Sequence, residues 1–221
     1  IYLYSLGSRL FKKATLVRCL TKKDAQEIAS YGCPPEKIRI VPNGVDTEVY
    51  EPLDPEQCRS LLGIPAGKKV LMCAALDLSQ FWKGGDLLQK ALESLPESLK
   101  AETVLLLLGN RGEAIAESVG IPALNLGYVS NERLKAIAYS AADIIVCRAG
   151  ALSLAELCLY GKPSILIPLP TAASNHQEIN ARIMEKEGAS IVILQNNLDS
   201  ELLDISLNSL IADENKLSEM A

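Results

Sequence analysis

The sequence predicts a doubly wound α/β domain built on a parallel sheet, a Rossmann-like architecture. Three observations predict it. Runs such as "TVLLLLG" (103–109), "DIIVC" (143–147) and "SILIP" (164–168) are continuously apolar and rich in Ile, Leu and Val, as strands buried on both faces are. Helical segments separate these runs at a regular spacing, which makes successive βαβ units. The 221 residues are 48% hydrophobic and 22% charged, ordinary for a globular chain and ample for a core.

Taken in order, the first strand is "ATLVRCL" (14–20) and the first helix "TKKDAQEIASYG" (21–32). Thr21 suits the N-cap, and Gly32 ends the helix before Pro34 and Pro35. A strand "KIRIVP" (37–42) follows. Residues 43–67 are rich in Pro, Gly and Asp and read as a linker carrying one short helix near 55–62. The regular alternation then begins, with strands at 69–75, 103–108, 123–126, 143–147, 164–168 and 190–194. Helices fall at 85–95, 111–119, 131–141, 151–160, 175–187 and 199–212. The chain thus divides into 1–43, a linker at 44–67, and an α/β domain at 68–221.

Bulk properties exclude several classes. The formal charge is −5, and no Lys/Arg block is longer than two residues, which argues against a nucleic-acid partner. The longest apolar run is too short to cross a bilayer, and no secretory leader is expected. The chain begins with Ile rather than Met, as a fragment or isolated domain would. Its six cysteines form no C-x-x-C pair, so reduced and mostly buried thiols in a cytoplasmic setting are expected rather than a metal site or disulfide scaffold.

In open parallel sheets ligands gather outside the carboxyl ends of the strands, so the segments after each strand hold the candidates. "LDLSQFWKGGD" (76–86) sets Lys83 and two glycines at a helix start, which suits phosphate. The motif is neither the dinucleotide fingerprint nor a P-loop, and a solvated Lys at a Gly-rich helix start is the plainer reading. "RAGA" (148–151) turns directly into an apolar helix. There the N–H groups of Ala151 and Leu152 are free helix-start donors, Gly150 permits close approach, and Arg148 carries a fork suited to phosphate. Glu156, the one charge in "ALSLAELCLY", needs a polar partner because burying it alone would be costly. Two hydroxyls of a ribose would serve, as would an internal ion pair with Arg148. After the next strand, Gln177 and Asn180 share one helix face beside His176, the only histidine. The amides suit sugar hydroxyls, and a lone His is more often structural than catalytic. In "LGYVSNERL" (126–134), the backbone at Tyr128 and Val129 could meet the edge of a planar base, with Ser130 or Asn131 capping the helix. Spacings for a metal, a serine or cysteine nucleophile, or a glycosidase acid pair are lacking.

Together these segments resemble the C-terminal, donor-binding half of GT-B glycosyltransferases. "EKIRIVPNGVDTEVYEP", "KGGDLLQKALESL" and "LGYVSNERLKAIAYSAADIIV", within residues 14–145, resemble family 4. "CRAGALSLAEL", "GKPSILIPLP" and "NHQEINAR…EGAS", within 144–194, resemble family 28, the bacterial N-acetylglucosaminyltransferases that form lipid II. A change of branch near 140–147 implies a recombined chimera, a divergent hybrid or an assembled sequence. Residues 1–43 would then be the last strand and helix of an acceptor-binding N-terminal domain plus a crossover strand.

The resemblance implies that Glu156 binds the ribose of a UDP-sugar and that Gly150, Ala151 and Leu152 face its diphosphate. Gln177 and Asn180, beside His176, would contact the sugar, Tyr128 and Val129 the uracil, and Lys83 the diphosphate. Three departures stand out. Arg148 occupies the position of a second family 4 Glu, no Arg precedes Lys83 as in that family, and the Gly-rich loop of family 28 is replaced by "LDLSQFWKGG".

The expectation is a cytoplasmic domain that binds UDP-N-acetylglucosamine or a UDP-hexose without a metal cofactor, peripheral to the inner membrane in some settings. It would need an N-terminal acceptor domain or partner subunit for efficient transfer. The alternatives are a vestigial or engineered α/β domain without ligand, and a relative of UDP-sugar 2-epimerases.

Overall fold

Leu, Ile and Val at successive strand positions place alternate side chains on opposite faces, and here both faces are covered. The computed structural model describes residues 10–41, 43–78, 85–172 and 175–221, with Gly85 and Asp86 described by backbone alone. Two compact units divide between Gly44 and Val45.

In the first unit, strand β1 (Val17–Cys19) pairs in parallel with β2 (Ile38–Ile40), joined through helix α1 (Lys22–Ser30). The expected cap is present in reciprocal form. Thr21 Oγ1 accepts from the Asp24 N–H at 3.1 Å, and Asp24 Oδ2 accepts from the Thr21 N–H at 3.0 Å. Gly32, at φ 89°, reverses the chain after the helix.

The second unit is built on six parallel strands: β3 (Lys69–Asp77), β4 (Thr103–Asn110), β5 (Ala123–Gly127), β6 (Ile144–Cys147), β7 (Ser164–Leu166) and β8 (Ser190–Val192). Their order across the sheet is β5-β4-β3-β6-β7-β8. The chain therefore winds outward from β3 to one edge, then returns to the middle at β6 and winds to the other. Leu71, Cys73, Leu105, Leu107, Ile144 and Val146 join one apolar cluster, and their neighbours Met72, Leu106, Ile145 and Cys147 join another on the opposite face. The first face is covered by α3 (Gly85–Ser94), α5 (Glu113–Ser118) and α9 (Ser200–Ile211) through Leu88, Leu92, Ile115, Leu203 and Leu207. The second is covered by α6 (Glu132–Ala141), α7 (Ala151–Tyr160) and α8 (His176–Lys186) through Ala136, Tyr139, Leu157 and Ala181.

Two features differ from the sequence reading. Residues 45–67, read as a linker carrying one short helix, run with the second unit. Helix α2 (Pro55–Leu61) is capped by Asp54, and its Arg59 bonds Asp143 Oδ1 at 2.8 Å and the Ala141 carbonyl at 3.0 Å. Tyr50 and Ile64 join the second apolar cluster. Isolated apolar residues among Pro and Asp leave no periodic trace, so composition alone misses this packing. The structure adds two short helices that the apolar period does not predict, α4 (Glu97–Glu102) and α10 (Glu214–Met220). Each is too short for its period to stand out.

Five cysteines are buried, Cys158 is exposed, and none is bridged. Burial alone pushes the Cys73 thiol up to about 12, and it is the main cause of the same rise at Cys147. Among the described residues no helix is long and apolar enough to cross a membrane, and no cluster of three or more His, Cys, Asp or Glu could hold a metal.

Candidate ligand cavity

The sheet order reverses between β3 and β6, and a cavity of about 280 Å³ opens on the β3 side of this point. Its walls are Ala74, Ala75 and Leu76 at the end of β3, Leu108 and Gly109 at the end of β4, and Tyr128 and Val129 beyond β5. Lys135 and Tyr139 of α6 and Ser153 and Glu156 of α7 complete it. The volume sits near the lower end of small-molecule sites.

Gly109 is required by the close approach of β4 to β3. Its φ is +146°, and a Cβ there would run into the Ala75 carbonyl oxygen. At Gly150 the constraint is absent: φ is −69°, and a Cβ would meet nothing nearer than Ser153 Oγ at 3.8 Å. Glycine at that position thus leaves open space at the start of α7. No side chain caps this helix, so its first-turn N–H groups stay available.

Glu156 is 7% exposed yet lines the cavity. Its partners come from α6 rather than from Arg148. Lys135 Nζ donates to Oε1 at 2.9 Å, and the Tyr139 hydroxyl donates to Oε2 at 2.7 Å. Lys135 also reaches the Tyr50 hydroxyl at 3.4 Å and lies 5.4 Å from the centre of that ring. Tyr139 stacks on Tyr160 with centroids 5.3 Å apart. Burial pulls the Lys135 ammonium down, but its bond and charge attraction to Glu156 outweigh that, and the net shift is upward. Burial and the neighbouring Glu156 raise the Tyr139 phenol well above its ordinary value.

The ion pair of Arg148 with Glu156, one of the two readings of the sequence, is thus replaced. The Arg148 guanidinium donates to the carbonyls of Ile167 at 2.8 Å and Pro168 at 3.3 Å, tying the exit of β6 to that of β7. Its burial lowers its pKa to about 10, so it stays charged near neutrality.

Of the other candidates, Tyr128 and Val129 share the cavity with Glu156, and Ala151 and Leu152 form the first turn of α7. Gln177 Oε1 accepts from the Leu169 N–H at 3.0 Å, and Asn180 Nδ2 donates to the Ala149 carbonyl at 3.5 Å. The Gln177 carbonyl oxygen and the Asn180 NH2 are therefore each engaged by a strand-exit loop. His176 is exposed at the start of α8. Lys83 lies outside the described residues. Of the two capping candidates, Asn131 caps α6, accepting from the Leu134 N–H at 3.0 Å.

Sequence reasoning passed over Lys135 and Tyr139. Their signal was present, since a spacing of four puts both on one helical face. What it lacked was the knowledge that this face meets α7.

The glycosyltransferase family 28 C-terminal domain matches residues 85–221, and glycosyltransferase family 4 matches residues 1–49. The family 28 match thus includes 85–145, a segment whose cadence resembles family 4. The UDP-N-acetylglucosamine--N-acetylmuramyl-(pentapeptide) pyrophosphoryl-undecaprenol N-acetylglucosamine transferase of Acetivibrio thermocellus is 34% identical over 201 residues, covering 89% of this chain and 53% of that protein. Its counterpart in Thermoanaerobacter sp. is 41% identical over 138 residues, covering 58% and 37%. The chain thus spans about half the length of the first relative and less of the second. Among solved structures, the glycosyltransferase WaaG superposes with a TM-score of 0.68 at 24% identity, covering 99% of this chain and 63% of that one. MurG of Acinetobacter baumannii gives 0.64 at 20%, with 97% and 62% covered. HepE of Anabaena, in complex with UDP-glucose, gives 0.65 at 19%, with 98% and 60% covered. These likenesses show the GT-B fold.

Proposed function

Because the chain belongs to the glycosyltransferase family 28 C-terminal domain family, we propose that the cavity between β3, β4, α6 and α7 is a donor pocket for a nucleotide sugar, UDP-N-acetylglucosamine or a UDP-hexose. The observation that carries this reading is where the cavity lies, at the carboxyl ends of β3 and β4 and against α7, the helix that follows β6 across the reversal of strand order. In that frame Glu156 accepts from the ribose, since a carboxylate holding two bonds still has lone pairs for more. The backbone at Tyr128 and Val129 meets the uracil edge. The open space at Gly150 admits phosphate oxygens to the N–H groups of Ala151 and Leu152. The Gln177 NH2 donates to the sugar and the Asn180 carbonyl oxygen accepts from it, with His176 beside them, and Lys83 adds charge at the diphosphate.

In the transfer, the oxygen of an acceptor hydroxyl bonds to the sugar's anomeric carbon as that carbon's bond to the diphosphate breaks, UDP leaves with the bonding electrons, and the hydroxyl proton passes to a base of the acceptor-binding domain. Donors and cations placed at the departing diphosphate stabilise the charge that develops there, and a clamped nucleoside holds the sugar in line. The helix start, Arg148 and Lys83 supply that charge without a metal. An N-terminal domain or partner subunit provides the acceptor site. The undecaprenol-linked acceptor named for the relatives would bring the domain to the cytoplasmic face of a membrane.

The test is a thermal-shift panel of UDP, GDP, ADP and their sugars against the chain and its Glu156→Gln variant. A ligand specific to the folded state stabilises by about 2.7 kcal/mol at one hundred times its Kd, so UDP compounds should raise Tm and the variant should blunt the rise. No response to any UDP compound would overturn the proposal. A ligand-free domain is the second reading. It is favoured by the bonds from Lys135 and Tyr139, which satisfy Glu156 without a nucleotide, and it predicts a flat panel.

A further inference from the structure

The Lys135 ammonium reaches the cavity wall after making two internal contacts, with Glu156 Oε1 at 2.9 Å and Tyr50 Oη at 3.4 Å. An ammonium has three donors, and Glu156 and Tyr50 are the acceptors it meets among the described residues. The third donor is therefore left for whatever fills the cavity. Its side chain is 28% exposed, against 10% for that of Glu156, so the cation has the more open approach. The result is a fixed donor beside a fixed acceptor, held together by their own ion pair. A hydroxyl is the group that can satisfy both, because it donates and accepts at one oxygen. A ribose carries two adjacent hydroxyls and fits this pairing better than the doubly esterified diphosphate of a nucleotide sugar, which has no proton to give Glu156.

Resting on the reading of the cavity as the donor pocket, we propose that Lys135 is a specificity-determining residue for the ribose, its ammonium donating to a hydroxyl oxygen while Glu156 accepts a hydroxyl proton. Donor and acceptor together select ribonucleotides over deoxyribonucleotides. Removing either member of such a contact strands the other, which is why polar recognition discriminates strongly against an analogue lacking one group.

Isothermal titration of the full chain with UDP, 2′-deoxy-UDP and 3′-deoxy-UDP tests this. The wild type should favour UDP over at least one deoxy analogue by about tenfold, the scale of a charged hydrogen bond. In Lys135→Met the affinity for UDP should fall by about tenfold, while that for the discriminated analogue changes by less than about twofold. Lys135→Arg, which keeps the cation, should restore part of the preference. Equal weakening of all three ligands in Lys135→Met, or no weakening, would overturn the role of Lys135 and leave the donor pocket standing. Equal affinity of the wild type for the three ligands also overturns the role, and if Lys135→Met does not fold, Lys135→Gln takes its place in the same comparison, where an unchanged preference for UDP overturns it. A wild type that binds no UDP removes the donor pocket itself, and the role of Lys135 falls with it.

Discussion

Lys135 Nζ stands 2.9 Å from Glu156 Oε1, and this contact joins α6 to α7 at the wall of the cavity. With the Tyr139 hydroxyl on the other carboxylate oxygen at 2.7 Å, Glu156 is held from two positions one helical turn apart. The same side chains therefore stabilise the helix pair and shape the site.

Removing the carboxylate should cost stability even without ligand. Glu156→Ala leaves the Tyr139 hydroxyl without its acceptor and the Lys135 ammonium with the Tyr50 hydroxyl alone, a loss of about 2–3 kcal/mol. Glu156→Gln keeps one acceptor oxygen and should lose about half as much. Urea unfolding midpoints of the two variants would show this, and equal midpoints for wild type and Glu156→Ala would contradict it.

Alkaline pH should unfold the chain through the same network. Lys135, Tyr139 and Tyr160 all have folded-state pKa values raised above their unfolded ones. Their contribution is complete below the unfolded values near 10 and is lost as pH rises through the folded values. Arg148, lowered to about 10, works in the opposite sense. Between pH 9 and 12 (on the order of the ordinary Tyr and Lys values), Tm should fall more steeply for the wild type than for a Lys135→Met, Tyr139→Phe double variant. Parallel curves would rule the network out as the cause.

Gly109→Ala should destabilise by about 2–3 kcal/mol, because it combines a positive φ with a steric conflict at the Ala75 carbonyl. Relief requires β4 to move away from β3, which would also alter the cavity. A shifted urea midpoint with an unchanged far-ultraviolet spectrum is expected, and Gly150→Ala should leave the midpoint in place.

Thiol reactivity should be confined to one position. Cys158 is exposed while the other five cysteines are buried, and Cys73 and Cys147 are held protonated to about 12. Ellman's reagent on the native chain should label Cys158 rapidly, and Cys158→Ser should abolish the fast phase. A fast phase surviving in that variant would show a second accessible thiol.

Much of this molecule is written locally. The continuous apolar character of residues 103–108 and 144–147 is a direct consequence of burial on both faces, so strand type and parallel pairing could be read from single segments. Caps are local too, as Thr21 with Asp24 and Asn131 with Leu134 illustrate. Glu156 stood out because a lone charge in an apolar helix demands a partner wherever that helix lies.

The identity of that partner was not local. Arg148 and Lys135 are both cations near Glu156, eight and twenty-one positions away along the chain. Only the packing of α6 against α7 brings Lys135 within bonding distance, while Arg148 turns to the carbonyls beyond β7. The anchoring of residues 45–67 by Arg59 to Asp143 is decided in the same way. Amino-acid order determined the strands, the helices and the need to satisfy one buried acid, because backbone period and desolvation act within a segment. Tertiary structure decided which groups satisfy it and where the cavity opens, because a hydrogen bond depends on distances that only the folded sheet and its helices set.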